Sequence, residues 1–245
     1  MPWRRSNPGE RPRPAISRPL LPAAIRPVAA VLLAVCVTVT VFLGTRVWHQ
    51  TLPGWPDTAV DMRVRVIFGG YRAILNYLVV LGDPRTVAGL TAALLVACLA
   101  TRRWRGAVLV AVSVPAASVL TEDLLKPFID RSYQGALDFP SGHSTAVFTL
   151  ATASAVLLAG PLRVRIGPAP RLLLALAAFG VAVSVAIALV GLGYHYFTDT
   201  VAGATVGIAV VLAVTLLLDG LAARSKARER ASQSSAENRL IRPRA

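Results

Sequence analysis

Two histidines, His143 and His195, stand at the mouths of long apolar runs, each with polar company at a spacing chemistry can use. His195 is followed four residues later by Asp199, the separation at which side chains meet on a helical turn. An aspartate on one imidazole nitrogen fixes the tautomer and leaves the other nitrogen free as base or nucleophile. His143 follows Pro140, Ser141 and Gly142. Proline disfavours helix in the residue before it and Ser141 is a good N-cap, so a helix is expected to begin at about Ser141. Its first-turn amides lack internal partners and sit at the positive end of the dipole, which suits an anion. His143 lies beside that anion with a proton to give. Lys126 and Arg131, in the polar segment before it, add positive charge, and arginine's fork matches phosphate. Together these residues suit the binding of an anion such as phosphate beside a base or nucleophile.

Each feature also has a plainer reading. Asp199 is placed to cap the helix that follows it, Lys126 to pair with Glu122 one turn earlier, and His195 to sit with Tyr194, Tyr196 and Phe197 in an aromatic belt at a membrane surface. The rival chemistry is a metal held by the two histidines and Asp199. Neighbouring cations repel a metal and suit a phosphate, so the expectation is no metal and no cofactor.

The elements that position these residues are membrane spans. Of 245 residues, 55% are apolar, more than an ordinary soluble domain carries. The net charge of +14 comes from arginines at the edges of apolar segments rather than from a basic patch interleaved with aromatics. That is a topology signal and excludes nucleic acid as the expected partner. Cys36 and Cys98 both fall inside apolar runs and imply no disulfide framework. Lysine supplies two of the 26 basic residues, a hint of a GC-rich bacterial genome.

Six spans are expected: Val28 to Trp48, Val87 to Thr101, Gly106 to about Leu125 with a kink at Pro115, His143 to Gly160, Leu172 to about Gly193, and Thr200 to Leu218. Residues 49–66 read as a polar loop. Ile67 to Gly82 reads as an amphipathic helix at the extracytoplasmic interface between spans one and two. Residues 1–27 and 220–245 read as disordered basic cytoplasmic tails flanking a membrane domain over 28–219. With both termini cytoplasmic, 19 basic residues lie inside and seven outside. This orientation in the plasma membrane places Lys126 to His143 and Tyr194 to Asp199 together on the extracytoplasmic side.

Lys126-Pro-Phe-Ile-Asp-Arg131, then Pro140-Ser141-Gly142-His143, then His195-Tyr-Phe-Thr-Asp199 resembles the three-motif signature of the type 2 phosphatidic acid phosphatases, the membrane lipid phosphate phosphatases. The match covers roughly residues 85–218. The resemblance implies a metal-independent phosphatase of six transmembrane helices acting on a membrane lipid phosphate in the bilayer. In that scheme His195 attacks phosphorus and becomes a phosphohistidine, Asp199 orients it, and His143 protonates the leaving alkoxide. Lys126, Arg131, Ser141 and the Gly142 amide would hold the phosphoryl oxygens. Tyr133 and Gln134 stand where the first motif usually carries arginine and proline, and Ala188 and Leu189 where the third carries serine and arginine. Two alternatives follow: a catalytically silent relative that binds lipid phosphate, and a phosphotransferase with an acceptor other than water.

Overall fold

The computed structural model describes residues 19–133, 135–161 and 166–241. Gln134, the loop arginines Arg163 and Arg165, and most of the expected N-terminal tail lie outside the described residues. The protein is an all-α integral membrane protein. Helices α1 (Arg26–Val47), α2 (Trp55–Phe68), α3 (Arg72–Val80) and α4 (Pro84–Ala100) precede α5 (Trp104–Val119) and the short α6 (Lys126–Ile129). A two-stranded hairpin, β1 (Ser132–Tyr133) and β2 (Ala136–Leu137), leads into α7 (Gly142–Ala159), α8 (Pro168–Leu192) and α9 (Phe197–Ile241).

Local chemistry sets many of these boundaries. Proline occupies the first turn of α1, α2, α4 and α8, where its missing N–H costs nothing. Gly193 ends α8 in the left-handed region, with φ 75°, and its N–H returns to the carbonyls of Leu189 and Val190. Among the described residues, Ala23–Val47, Trp104–Ile129, Gly142–Ala159, Pro168–Leu192 and Phe197–Ser225 are long and apolar enough to cross a membrane. Trp55–Val80 and Pro84–Ala100, bent by 49°, together make a sixth such stretch.

Three regions differ from the sequence expectation. The stretch expected as a loop over 49–66 holds α2, and the expected helix over 67–82 is broken by a 3-10 turn at Gly69–Tyr71 before α3 begins. The aspartates that make α2 look loop-like, Asp57 and Asp61, turn inward and are buried. At the C-terminal end, α9 continues to Ile241 instead of stopping near Asp219. Residues 221–241 hold five alanines and four arginines, good helix formers. At the other end, Leu20 and Leu21, assigned by composition to a tail, are buried against Asp219, to which their N–H groups donate at 2.8 and 3.1 Å.

Helix α7 is the centre of the bundle and packs on α9, α8 and α5. Its approach to α9 depends on two glycines one turn apart. A β-carbon on Gly203 would lie 2.9 Å from Ser144 Cβ, and one on Gly207 would lie 2.6 Å from the Thr145 carbonyl oxygen. Small residues at this spacing let helix backbones touch in a membrane. One apolar cluster joins α5, α7 and α9 through Leu109, Val110, Ala153, Val156 and Val211. A second joins α7 and α8 through Val147, Phe148, Val185 and Leu189.

Candidate active site

The two motif helices meet at their N-termini. Ser141 caps α7 as its sequence predicts, its side chain accepting from Ser144 N at 3.4 Å, and Gly142 opens the helix. The Ser141 N–H donates to the Asp199 carbonyl at 3.0 Å, which fastens the start of α7 to the first turn of α9. The two histidines thus enter one region from two helix starts.

The hairpin delivers the rest. Ser132 pairs with Leu137 and Tyr133 with Ala136, and the turn uses Gly135 at φ 83°. This register brings the ends of the segment together, and Asp138 N donates to the Arg131 carbonyl at 2.9 Å. Arg131 is fully buried. Its Nη1 donates to Asp199 Oδ1 at 2.5 Å and to Thr198 Oγ1 at 2.7 Å, and its Nη2 to Asp57 Oδ2 at 2.6 Å. Its guanidinium carbon lies 4.5 Å from the centre of the Tyr196 ring. Burial works against the charge of Arg131, but the carboxylates of Asp199 and Asp57 more than offset it, so the guanidinium titrates above its ordinary value. Burial, with Tyr133 beside it, pushes the Tyr196 phenol up as well.

His195 is buried, and its Nδ1 lies 2.7 Å from Asp138 Oδ1 but 4.0 Å from Asp199 Oδ2. The carboxylate nearest the imidazole is therefore Asp138, whereas sequence spacing singles out Asp199. Asp199 is engaged elsewhere: one oxygen takes Arg131, and the other accepts from Tyr196 N at 3.0 Å, half of a capping box on α9. The close approach of Asp138 is not aligned as a hydrogen bond. Arg131 Nε, Asp138 Oδ2, Ser144 Oγ and His195 Nδ1 are buried without hydrogen-bond partners among the described residues. Buried polar atoms are nearly always paired, so a group of them at one place marks a site prepared for something else.

His143 is half-buried, and its Nε2 lies 3.1 Å from Asp83 Oδ1, the N-cap residue of α4. Gly82 backs the ring, since a β-carbon there would lie 2.9 Å from His143 Cδ2. Lys126 follows a π-helical turn, Leu120–Leu125, of the kind often found at functional sites. Its Nζ donates to Glu122 Oε2 at 2.7 Å, the pairing that helical spacing predicts, and lies 4.0 Å from where a Gly142 β-carbon would stand. A carboxylate oxygen of Glu122 presses against that same point. Lys126, Glu122 and the start of α7 thus form one cluster.

Asp57, Asp83 and Asp138 belong to this constellation, and motif spacing does not reach them. The one available signal is that Asp138 is an acid flanked by Leu137 and Phe139 in an otherwise apolar chain. Leu189, where the family's arginine would stand, is buried in the α7–α8 cluster and brings no charge. Tyr133 rests on the Tyr196 ring with centroids 4.5 Å apart. Arg63, Arg72 and Tyr194 are exposed, and Arg65 reaches the end of α8. Donor atoms of Asp138, His195 and Asp199 lie within 4.8 Å of one another, a spacing that also fits a metal ion. Against that fit, Arg131 already holds Asp199.

With this geometry in view, comparison with known proteins places the chain. The profile of the PAP2 superfamily matches residues 114–221, from the middle of α5 into α9. Over that segment the chain is similar to the PAP2 superfamily. In fold it resembles the crystal structure described as the first transmembrane PAP2 type phosphatidylglycerolphosphate phosphatase from Bacillus subtilis. The TM-score is 0.63 at 19% identity, with 78% of this chain and 96% of that chain covered. No curated protein matches the sequence. The PAP2 segment contains all three sequence motifs, while α2 and Asp57 lie before it.

Proposed function

We propose that this protein hydrolyses lipid-linked phosphomonoesters or diphosphates at the extracytoplasmic face of a bacterial plasma membrane, through a phosphohistidine on His195. The observation that carries the reading is a buried imidazole beside two carboxylates, on a turn fastened to the N-terminus of the helix that bears His143. Asp138 or Asp199 holds one ring nitrogen, and the other attacks phosphorus. The developing charge meets Lys126 and the free amides of α7, and His143 protonates the departing oxygen. The split of basic residues, 19 against seven, supports the orientation.

The lipid tail has a place beside this site. An apolar cavity of about 450 Å³ lies between α4, α7 and α8, lined by Leu81, Leu90, Val147, Leu150 and Ala182 among others. Val147 is one helical turn beyond His143 and Leu81 is two residues before Asp83, so a phosphate at His143 leads its chain into this groove.

A metal-assisted reaction is a second reading, favoured by the convergent donor atoms of Asp138, His195 and Asp199. One experiment separates the readings. Phosphate release is measured from a panel of phosphatidic acid, phosphatidylglycerol phosphate and polyprenyl diphosphate, with and without EDTA. The phosphohistidine reading expects turnover of at least one lipid, unchanged by chelation. Turnover abolished by EDTA and restored by a divalent ion transfers the reaction to the metal, and no turnover of any lipid identifies a silent relative.

A further inference from the structure

One face of α2 carries charges at three successive turns, Asp57, Asp61 and Arg65, and all three bond to the segment around His195. Arg65 Nε donates to the Val190 carbonyl at 3.4 Å, and its guanidinium lies beside Gly193. Asp61 Oδ1 accepts from Phe197 N at 3.1 Å. Asp57 Oδ1 accepts from Thr198 N at 2.8 Å, and its Oδ2 takes Thr198 Oγ1 at 3.1 Å and Arg131 Nη2 at 2.6 Å. The signs follow helix electrostatics. The cation sits at the negative, C-terminal end of the α8 dipole, and the anions sit at the positive, N-terminal end of α9, where the first amides lack partners within the helix. Gly191 lets this happen: a β-carbon there would lie 3.0 Å from Leu75 and 3.7 Å from Val64, so α2 and α3 settle directly on the end of α8.

We propose that α2 is the clamp that fixes the His195 turn, with Asp57, Asp61 and Arg65 as positioning residues that act through the turn and through Arg131. The inference rests on His195 being the reacting group, as proposed above. Capping of α9 is normally a task for residues of its own chain segment. Here the free amides of Phe197 and Thr198 are satisfied from another helix, so the orientation of the turn is set by where α2 lies. Asp57 extends the same hold to the buried arginine that grips Asp199. The segment over 55–68 thereby becomes part of the catalytic apparatus although it lies outside the PAP2 match.

The test uses full-length protein in detergent micelles with dioctanoyl phosphatidic acid as the probe substrate, and hydrogen exchange of the peptide over 194–200 as a readout that needs no activity. Asp61→Ala removes the partner of the Phe197 amide. Exchange over 194–200 should accelerate while peptides in the middle of α7 and α8 stay unchanged. Its kcat should fall about tenfold or more with KM within about twofold, because a turn displaced by a fraction of an ångström misaligns the nucleophile without altering lipid binding. Arg65→Gln, at an exposed side chain, should show the same pattern more weakly, and Arg63→Gln, also exposed, should change neither readout. If Asp61→Ala and Arg65→Gln leave exchange and kcat at the wild-type level, or if they raise KM instead of lowering kcat, the clamp is refuted. If the unmutated protein releases no phosphate while Asp61→Ala still accelerates exchange at 194–200, the phosphatase reading fails and the clamp stands as a structural device.

Discussion

Helix α9 has a buried aspartate tied to arginine near each end of its apolar length, and the two clusters are built differently. At Asp219 both carboxylate oxygens are used, and one buried polar atom of the cluster, Arg26 Nε, is without a hydrogen bond among the described residues. Oδ1 accepts from Leu20 N at 2.8 Å and Arg105 Nη2 at 2.7 Å, and Oδ2 accepts from Leu21 N at 3.1 Å with Arg26 at 3.5 Å. At Asp199 the pairing is just as tight, yet Asp138, His195, Ser144 and Arg131 around it each keep a buried polar atom without a hydrogen bond. A nearly saturated cluster spends its polar groups on holding chain segments together. One with four such atoms keeps polar groups available to a bound group or to water.

The comparison breaks most visibly at His195. His195→Ala should abolish both phosphate release and a trapped phosphoenzyme, while thermal stability changes little because its Nδ1 lacks a well-aligned bond to lose. A trapped phosphoenzyme surviving in that variant would move the nucleophile elsewhere. The acid partner comes next. Asp138→Asn should lower kcat by up to about 10⁴-fold, since the imidazole tautomer is no longer enforced. Asp199→Asn should instead lower the melting temperature, because Arg131 loses a buried counter-charge. The reverse ranking of the two variants returns the orienting role to Asp199. His143→Ala removes general-acid help and should cost about 10² to 10⁴ in rate, with the deficit shrinking for a nitrophenyl phosphate, whose leaving group needs no proton. An equal deficit for both substrates would make His143 a binding residue.

The smallest kinetic effect belongs to the other end of α9. Asp219→Ala removes the carboxylate that Arg26 and Arg105 share and frees two N–H groups, so stability should drop by about 3 kcal/mol while kcat per folded molecule is unchanged. The check is a thermal shift measured beside the lipid assay. A loss of kcat without a thermal shift would show that the two clusters are coupled along α9.

The sequence by itself determined the parts that depend on local chemistry. Apolar runs of span length dictated helices because a backbone in lipid has to satisfy its own hydrogen bonds. Pro140 and Ser141 dictated the start of α7, and the spacing from Glu122 to Lys126 dictated an ion pair one turn long. The types and approximate neighbourhood of Lys126, Arg131, His143, His195 and Asp199 were also legible, because motif spacing survives without knowledge of packing.

Tertiary structure decided who touches whom. Asp199 lies four residues from His195, but a helical turn offers only proximity, and the buried Arg131 outcompetes the imidazole for the carboxylate. Asp138 reaches His195 only through the β1–β2 register, and Asp57 reaches Arg131 only because α2 folds back over α8 and α9. The aspartates that made α2 look like a loop find their hydrogen-bond partners outside their own segment. Their partners lie at Arg131 and over 197–198, so their role exists only once the helices are assembled.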